Sequence, residues 1–89
     1  MTISSHPDDL VFLHTEAIFN RHEIAQVEQV GCFSCIRVYA AKDICNWTDD
    51  GKTALCPHCK NDAVLAGIID TAILTAMHKR WFHNPRYGR

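Results

Sequence analysis

The sequence predicts a small α+β fold with a long N-terminal helix, a short β-hairpin framed by two cysteine pairs, and a C-terminal helix. Three observations predict it. Apolar residues recur at helical steps toward both ends of the chain, at Leu10, Leu13, Ala17, Ile24 and Val27, and again at Ile73, Leu74, Met77 and Trp81. Between them, residues 36–39 alternate apolar and polar, and residues 53–55 form a short apolar return after the turn segment Thr48-Asp49-Asp50-Gly51-Lys52. Each of these runs adjoins a Cys-x-x-Cys pair: Cys32-Phe33-Ser34-Cys35 before the first, Cys56-Pro57-His58-Cys59 after the second.

The first helix is predicted over residues 8–30. Ser5-His6-Pro7-Asp8 offers its start, with a serine cap, an early proline and an acid three residues on. Glu16, Arg21, Glu23, Gln26 and Gln29 fall mainly on the other faces, and Asn20 and Arg21 interrupt the apolar stripe where a break would come. Gly31 ends this helix and opens the first cysteine turn. Residues 40–47 hold one helical turn, with Ile44 and Trp47 facing the same way. Residues 63–69 are apolar with Gly67 inside, a strand or a buried loop. The last helix runs from 71 to 83, capped by Asp70 and stopped by Asn84-Pro85. Residues 1–89 are thus expected to form a single domain: helix 8–30, core 31–69, helix 70–83 and tail 84–89.

The composition is that of an ordinary globular chain. Of 89 residues, 47% are hydrophobic and 21% charged, and the formal net charge is −1, which speaks against disorder. A near-zero charge also speaks against coating nucleic acid by electrostatics alone. No apolar run reaches the ~18 residues that span a bilayer, and the N-terminus lacks the basic start and cleavage site of a signal peptide. A cytoplasmic protein without membrane contact is expected.

The five cysteines carry the most information. An odd count and no export signal speak against a disulfide framework. Twenty residues separate Cys35 from Cys56, the upper end of the spacing in zinc sites of the C-x₂-C…C-x₂-C type. Two residues between cysteines let a tight turn aim both sulfurs at one point, about 2.3 Å from a metal. Two such turns supply a closed tetrahedron of thiolates, which is structural rather than catalytic. Cys32, Cys35, Cys56 and Cys59 are therefore the expected ligands of one structural zinc per chain. Lys60 and Arg37 are candidates to offset the formal −2 of such a centre. A thioredoxin-like redox site is the rival, but it needs a single pair in a βαβ pattern. Treble-clef and zinc-ribbon arrangements offer the nearest fold analogy.

Other residues invite weaker readings. Cys45 lies outside both pairs and is a packed small residue or, alternatively, a reactive thiol of a redox sensor. The histidines lack His-Glu-x-x-His spacing; solvated or hydrogen-bonded histidines are the favoured reading, and a second metal site across the two helices is the weaker alternative. From Lys79 to Arg89 there are four cations (Lys79, Arg80, Arg86, Arg89) and no acid, interleaved with Trp81, Phe82 and Tyr87. This is a candidate nucleic-acid or partner surface; a helix C-terminus complemented by cations is the favoured reading. The first thirty residues carry Asp8, Asp9, Glu16, Glu23 and Glu28 against Arg21 alone. Pairing of the acidic and basic ends, within the chain or across a homodimer, follows naturally.

The stretch Gly31-Cys32-Phe33-Ser34-Cys35, with Asp43-Ile44, Trp47, Asp49, Gly51-Lys52-Thr53-Ala54-Leu55-Cys56-Pro57-His58-Cys59 and Asp62-Ala63-Val64, resembles a family of small, largely uncharacterised bacterial cytoplasmic proteins. The ending Ala76-Met77-His78-Lys79-Arg80-Trp81-Phe82 resembles it too. The similarity runs from about residue 14 to residue 82. It implies a bacterial cytoplasmic zinc-binding protein and no particular reaction. The family pattern often has glycine after the last cysteine and serine after the aspartate, where this chain has Lys60 and Ala63. The leading functional expectation is a non-enzymatic zinc domain that presents a surface to a protein partner. A nucleic-acid-binding regulator and a thiol sensor are the alternatives.

Overall fold

The computed structural model describes residues 7–82. Two helical segments come first, α1 (Pro7–Thr15) and the single turn α2 (Arg21–Ile24). Strands β1 (Gln29–Cys32) and β2 (Arg37–Ala40) follow, then a 3₁₀ turn at Ala41–Asp43. Strands β3 (Asn46–Thr48), β4 (Thr53–Leu55) and β5 (Val64–Ala66) precede the closing helix α3 (Thr71–Phe82). The architecture is a small antiparallel α+β arrangement with a cysteine cluster.

The long N-terminal helix does not form. α1 ends at Thr15, where the ladder tightens into Glu16 N→Leu13 O (2.9 Å) and Ala17 N→His14 O (3.2 Å) bonds. Phe19 then takes a left-handed conformation (φ 51°), and its N–H donates to Thr53 Oγ1 at 2.8 Å. Asn20, only 2% exposed, explains the break. Its side-chain nitrogen donates to Glu16 O (3.1 Å) and Val64 O (2.8 Å), and its oxygen accepts from Ala54 N (3.2 Å). The two buried long-range bonds, to Val64 and Ala54, outweigh helix propensities, which differ among ordinary residues by at most about 0.7 kcal/mol. The predicted start at Ser5 and His6 lies outside the described residues.

Gly31 does not end a helix; it sits in β1, the central strand of a sheet ordered β2-β1-β5. It pairs with Val38 on one side and Leu65 on the other. A Cβ here would meet the Ile68 carbonyl oxygen at 2.1 Å, so this strand tolerates no side chain at the point where the 68–70 loop crosses it. The predicted hairpin is also re-partnered. Residues 37–40 pair with β1, whereas β4 pairs with β3 across the 48–52 turn. Trp47 therefore lies in a strand, not on a helical turn with Ile44, and the Arg21 guanidinium lies 4.5 Å from its ring centroid. Asp49 and Asp50 both hold positive φ there, as does Gly51.

α3 forms as predicted through Phe82. Asp70 caps it, with Oδ1 accepting from Ala72 N at 2.9 Å, and Ile73, Leu74 and Met77 face inward. They join Leu10, Leu13, Val30, Leu65 and Phe33 in the buried core. Within the apolar run 63–69, residues 64–66 form strand β5, with Val64 and Leu65 fully buried, and Gly67 leaves it with a positive φ of 74°. Residue 83 and the tail 84–89 lie outside the described residues.

Candidate metal centre

The two Cys-x-x-Cys segments are turns at strand ends. The first joins β1 to β2: Cys32 pairs with Arg37 at the end of the ladder, and the chain between them closes through Ile36 in a left-handed conformation (φ 56°). The second follows β4 and closes through Lys60 N→Cys56 O (2.9 Å) and Cys56 N→Asn61 O (3.0 Å). It too ends on a left-handed residue, Lys60 (φ 70°). Each turn thus reverses on the residue directly after its second cysteine.

Several bonds tie the turns to each other. Phe33 N donates to Ala63 O at 3.0 Å, and Asn61 Nδ2 donates to Ser34 Oγ at 2.6 Å. The result brings Cys32, Cys35, Cys56 and Cys59 together, with all four sulfurs within 4.8 Å of one another. Two cross-turn separations, Cys32–Cys59 at 3.6 Å and Cys35–Cys56 at 3.8 Å, lie close to the edge of about 3.8 Å of a tetrahedron whose corners lie about 2.3 Å from its centre. Cys32 and Cys56 are buried, Cys35 and Cys59 half-buried. Among the described residues this is the only cluster suited to a metal ion, and its donors are all sulfur. His58 is not among them; its backbone N–H instead donates to Cys56 Sγ at 3.4 Å. The four predicted ligands are therefore together.

The electrostatics favour the thiolate at Cys56 over those at Cys35 and Cys32. Burial raises the Cys56 thiol pKa, but the Tyr39 hydroxyl and the backbone N–H groups of Cys59 and His58 outweigh it and leave it at about 7. Burial pushes Cys35 up to about 11 and Cys32 higher still. Tyr39 is informative. Its hydroxyl is buried and makes no hydrogen bond within the usual limits; burial first, and then the neighbouring Cys56 sulfur, push its pKa up. A buried hydroxyl without a conventional partner, beside a sulfur, suits a thiolate that carries charge. Lys60, one of the two cations expected to offset the centre, donates from Nζ to Pro57 O at 2.9 Å. Arg37, the other, is exposed at the start of β2.

No family model, no curated protein and no solved structure matches the chain.

The remaining predicted site residues divide. Cys45 is exposed rather than packed, and it is not among the clustered sulfurs. Lys79 and Arg80 are exposed on the last turns of α3. Trp81 is engaged internally, with its ring stacked on His14 at 4.2 Å and 9°, and the Arg80 guanidinium 5.1 Å from its centroid. Arg86 and Arg89 lie outside the described residues. Sequence reasoning missed Asn61, Tyr39 and His14. No short motif marks them, since each acts on an element distant in sequence.

His14 and α3 brace the first turn. Phe33 contacts both His14 and Trp81, and its carbonyl lies 3.1 Å from His78 Nδ1, accepting in the Nδ1-protonated tautomer. Burial holds the His14 imidazole below its ordinary pKa; Asp62 opposes this and Arg80 adds to it. A lowered folded value means that the unfolded chain takes up the proton first on acidification. The neutral stack adds stability above the unfolded value of about 6.5, and that contribution is lost as the pH falls below it. In a His14→Phe variant, which keeps a ring against Trp81, the melting temperature is expected to fall less between about pH 7.5 and 5.5 than in the parent. Thermal denaturation by circular dichroism across that range checks it.

Lys60 yields a second expectation. A left-handed backbone is disfavoured for a residue with a Cβ by about 1–2 kcal/mol, and glycine escapes this at some entropic loss. Lys60→Gly is expected to stabilise the protein by about 0.5–1 kcal/mol, since only an exposed bond to Pro57 is given up. A urea titration at fixed metal content reads the shift.

Proposed function

We propose that residues 1–89 form one zinc-binding domain, bacterial and cytoplasmic as the family resemblance implies, that catalyses no reaction. A single Zn²⁺ held by Cys32, Cys35, Cys56 and Cys59 is structural, and the surface it organises serves a protein partner. The observation that carries this reading is the all-sulfur cluster on two reciprocally tied turns, with separations that fit a tetrahedral ion. Borderline-soft Zn²⁺ suits four thiolates, and a closed shell leaves no position for water or substrate. When bound, the ion supplies a cross-link between β1, β4 and the chain that follows each. Native mass spectrometry of freshly purified protein tests the reading. One zinc per chain, released by a chelator together with a loss of thermal stability, supports it. A metal-free protein with an unchanged melting curve under chelation overturns it.

The engagement of Trp81 with His14 and Arg80 weighs against nucleic-acid binding, because the stacking face such a site needs is already used within the protein. Retained mobility of DNA and RNA fragments in a low-salt shift assay agrees with the protein-partner reading.

A further inference from the structure

A groove lies on the face formed by α1, α2 and β5, away from the cysteine turns. Its volume is about 510 Å³. Its apolar lining includes Phe12, Leu13, Val27, Leu65 and Ile68. Phe12 is 55% exposed, so the wall it forms is an aromatic surface turned to solvent. α1 carries four consecutive apolar residues, Leu10 to Leu13; Leu10 and Leu13 face the core, while Val11 and Phe12 are exposed. The outer face of this helix therefore has an apolar surface with no counterpart among the described residues.

The charge of the groove selects its occupant. Glu16 and Glu23 line it, and among the described residues no lysine or arginine does. The other ionisable side chain among the described lining residues is His22, which is exposed and contacts Gln26 at 3.5 Å. Neither carboxylate has a hydrogen-bond or ion-pair partner among the described residues. Two unpaired negative charges beside an apolar floor repel a nucleic-acid backbone or an anionic membrane and attract a cationic group. A volume of this order accommodates one or two large side chains of a short segment rather than a whole domain face.

We propose that this groove binds a short peptide segment of a protein partner that places one or two large apolar side chains on Phe12, Leu13 and Val27 and flanking lysines or arginines against Glu16 and Glu23. The proposal rests on the reading that the domain presents a protein-binding surface, and it adds the location and chemistry of that surface. The acids set orientation and encounter, and the apolar floor holds the anchor.

The test pans a phage-displayed random dodecamer library on the full, metal-loaded chain. Recovered sequences are expected to place Lys or Arg around a large apolar residue. A synthetic peptide of that consensus is expected to shift the amide resonances of Leu13, Val27 and Ile68, and to bind about tenfold more weakly to the Glu16→Lys, Glu23→Lys double variant. Its binding is also expected to weaken between about 0.05 and 0.5 M salt. No enrichment, an acidic or uncharged consensus, or affinity unchanged by charge reversal overturns the proposal. If the double variant does not fold, the Glu16→Gln, Glu23→Gln pair replaces it, with a smaller loss of the same sign expected. Metal content measured on the same samples separates the outcomes: one zinc per chain without peptide selection removes the groove and leaves the metal centre, and absent zinc removes the metal centre by itself.

Discussion

A Cys56→Ser variant is expected to lose its metal and, with it, its cooperative thermal transition. Cys56 is fully buried, its backbone N–H and carbonyl close the second turn through Asn61 and Lys60, and the Tyr39 hydroxyl and neighbouring backbone N–H groups favour its thiolate. Structural zinc is worth about 10–16 kcal/mol of apparent binding free energy at neutral pH, against a net stability of about 5–15 kcal/mol for a typical domain. A chain of 89 residues has little core to fall back on. Breaking the tetrahedron at this corner therefore removes a share of stability comparable to the whole. Far-UV circular dichroism on heating, with metal analysis on the same sample, reads both losses. Cys45→Ser, at an exposed cysteine away from the cluster, is the control and is expected to keep metal and transition alike.

The second large effect is expected at Asn20, which contacts no cysteine. Its side chain joins the turn after α1 to β4 through Ala54 and to β5 through Val64, and both of those residues are fully buried. Asn20→Ala leaves the Ala54 N–H and the Val64 carbonyl without partners in the interior. At about 1–3 kcal/mol for each unsatisfied buried group, a destabilisation of roughly 2–6 kcal/mol follows. Asn20→Asp is expected to be no milder, since a carboxylate oxygen would face the Glu16 and Val64 carbonyls in place of an amide donor. Urea unfolding of the metal-loaded proteins measures both, and a change under about 0.5 kcal/mol for Asn20→Ala would contradict this role.

The contrast between these two sites shows what the sequence made legible. The cysteine pairs announce themselves because the chemistry of one ion fixes both residue type and spacing, and the structure brings all four sulfurs within reach. α3 was equally legible: an aspartate cap, a helical stripe at Ile73, Leu74 and Met77, and no competing tertiary demand. The N-terminal half was not. Ile24, Val27 and Val30 fall at helical steps, but Val30 and Cys32 also alternate as a buried strand, and a spacing of three or four residues does not separate the two. What decides between them is Asn20, whose partners lie 34 and 44 residues away in sequence. Strand pairing was hidden for a different reason. The turn at 48–52 correctly joins two strands, yet the partner of residues 37–40 is β1, directly across the first cysteine turn, whose residues 29–32 the helical stripe had absorbed. Tyr39 and Asn61 brace the metal centre from positions with no motif of their own.

The most direct measurement of the central claim is X-ray absorption at the zinc edge on the purified, metal-loaded protein. The account predicts four sulfur scatterers at about 2.3 Å and no nitrogen or oxygen in the coordination shell. A shell with fewer than four sulfurs, one containing histidine nitrogen or water, or a protein that retains no zinc at all would contradict it.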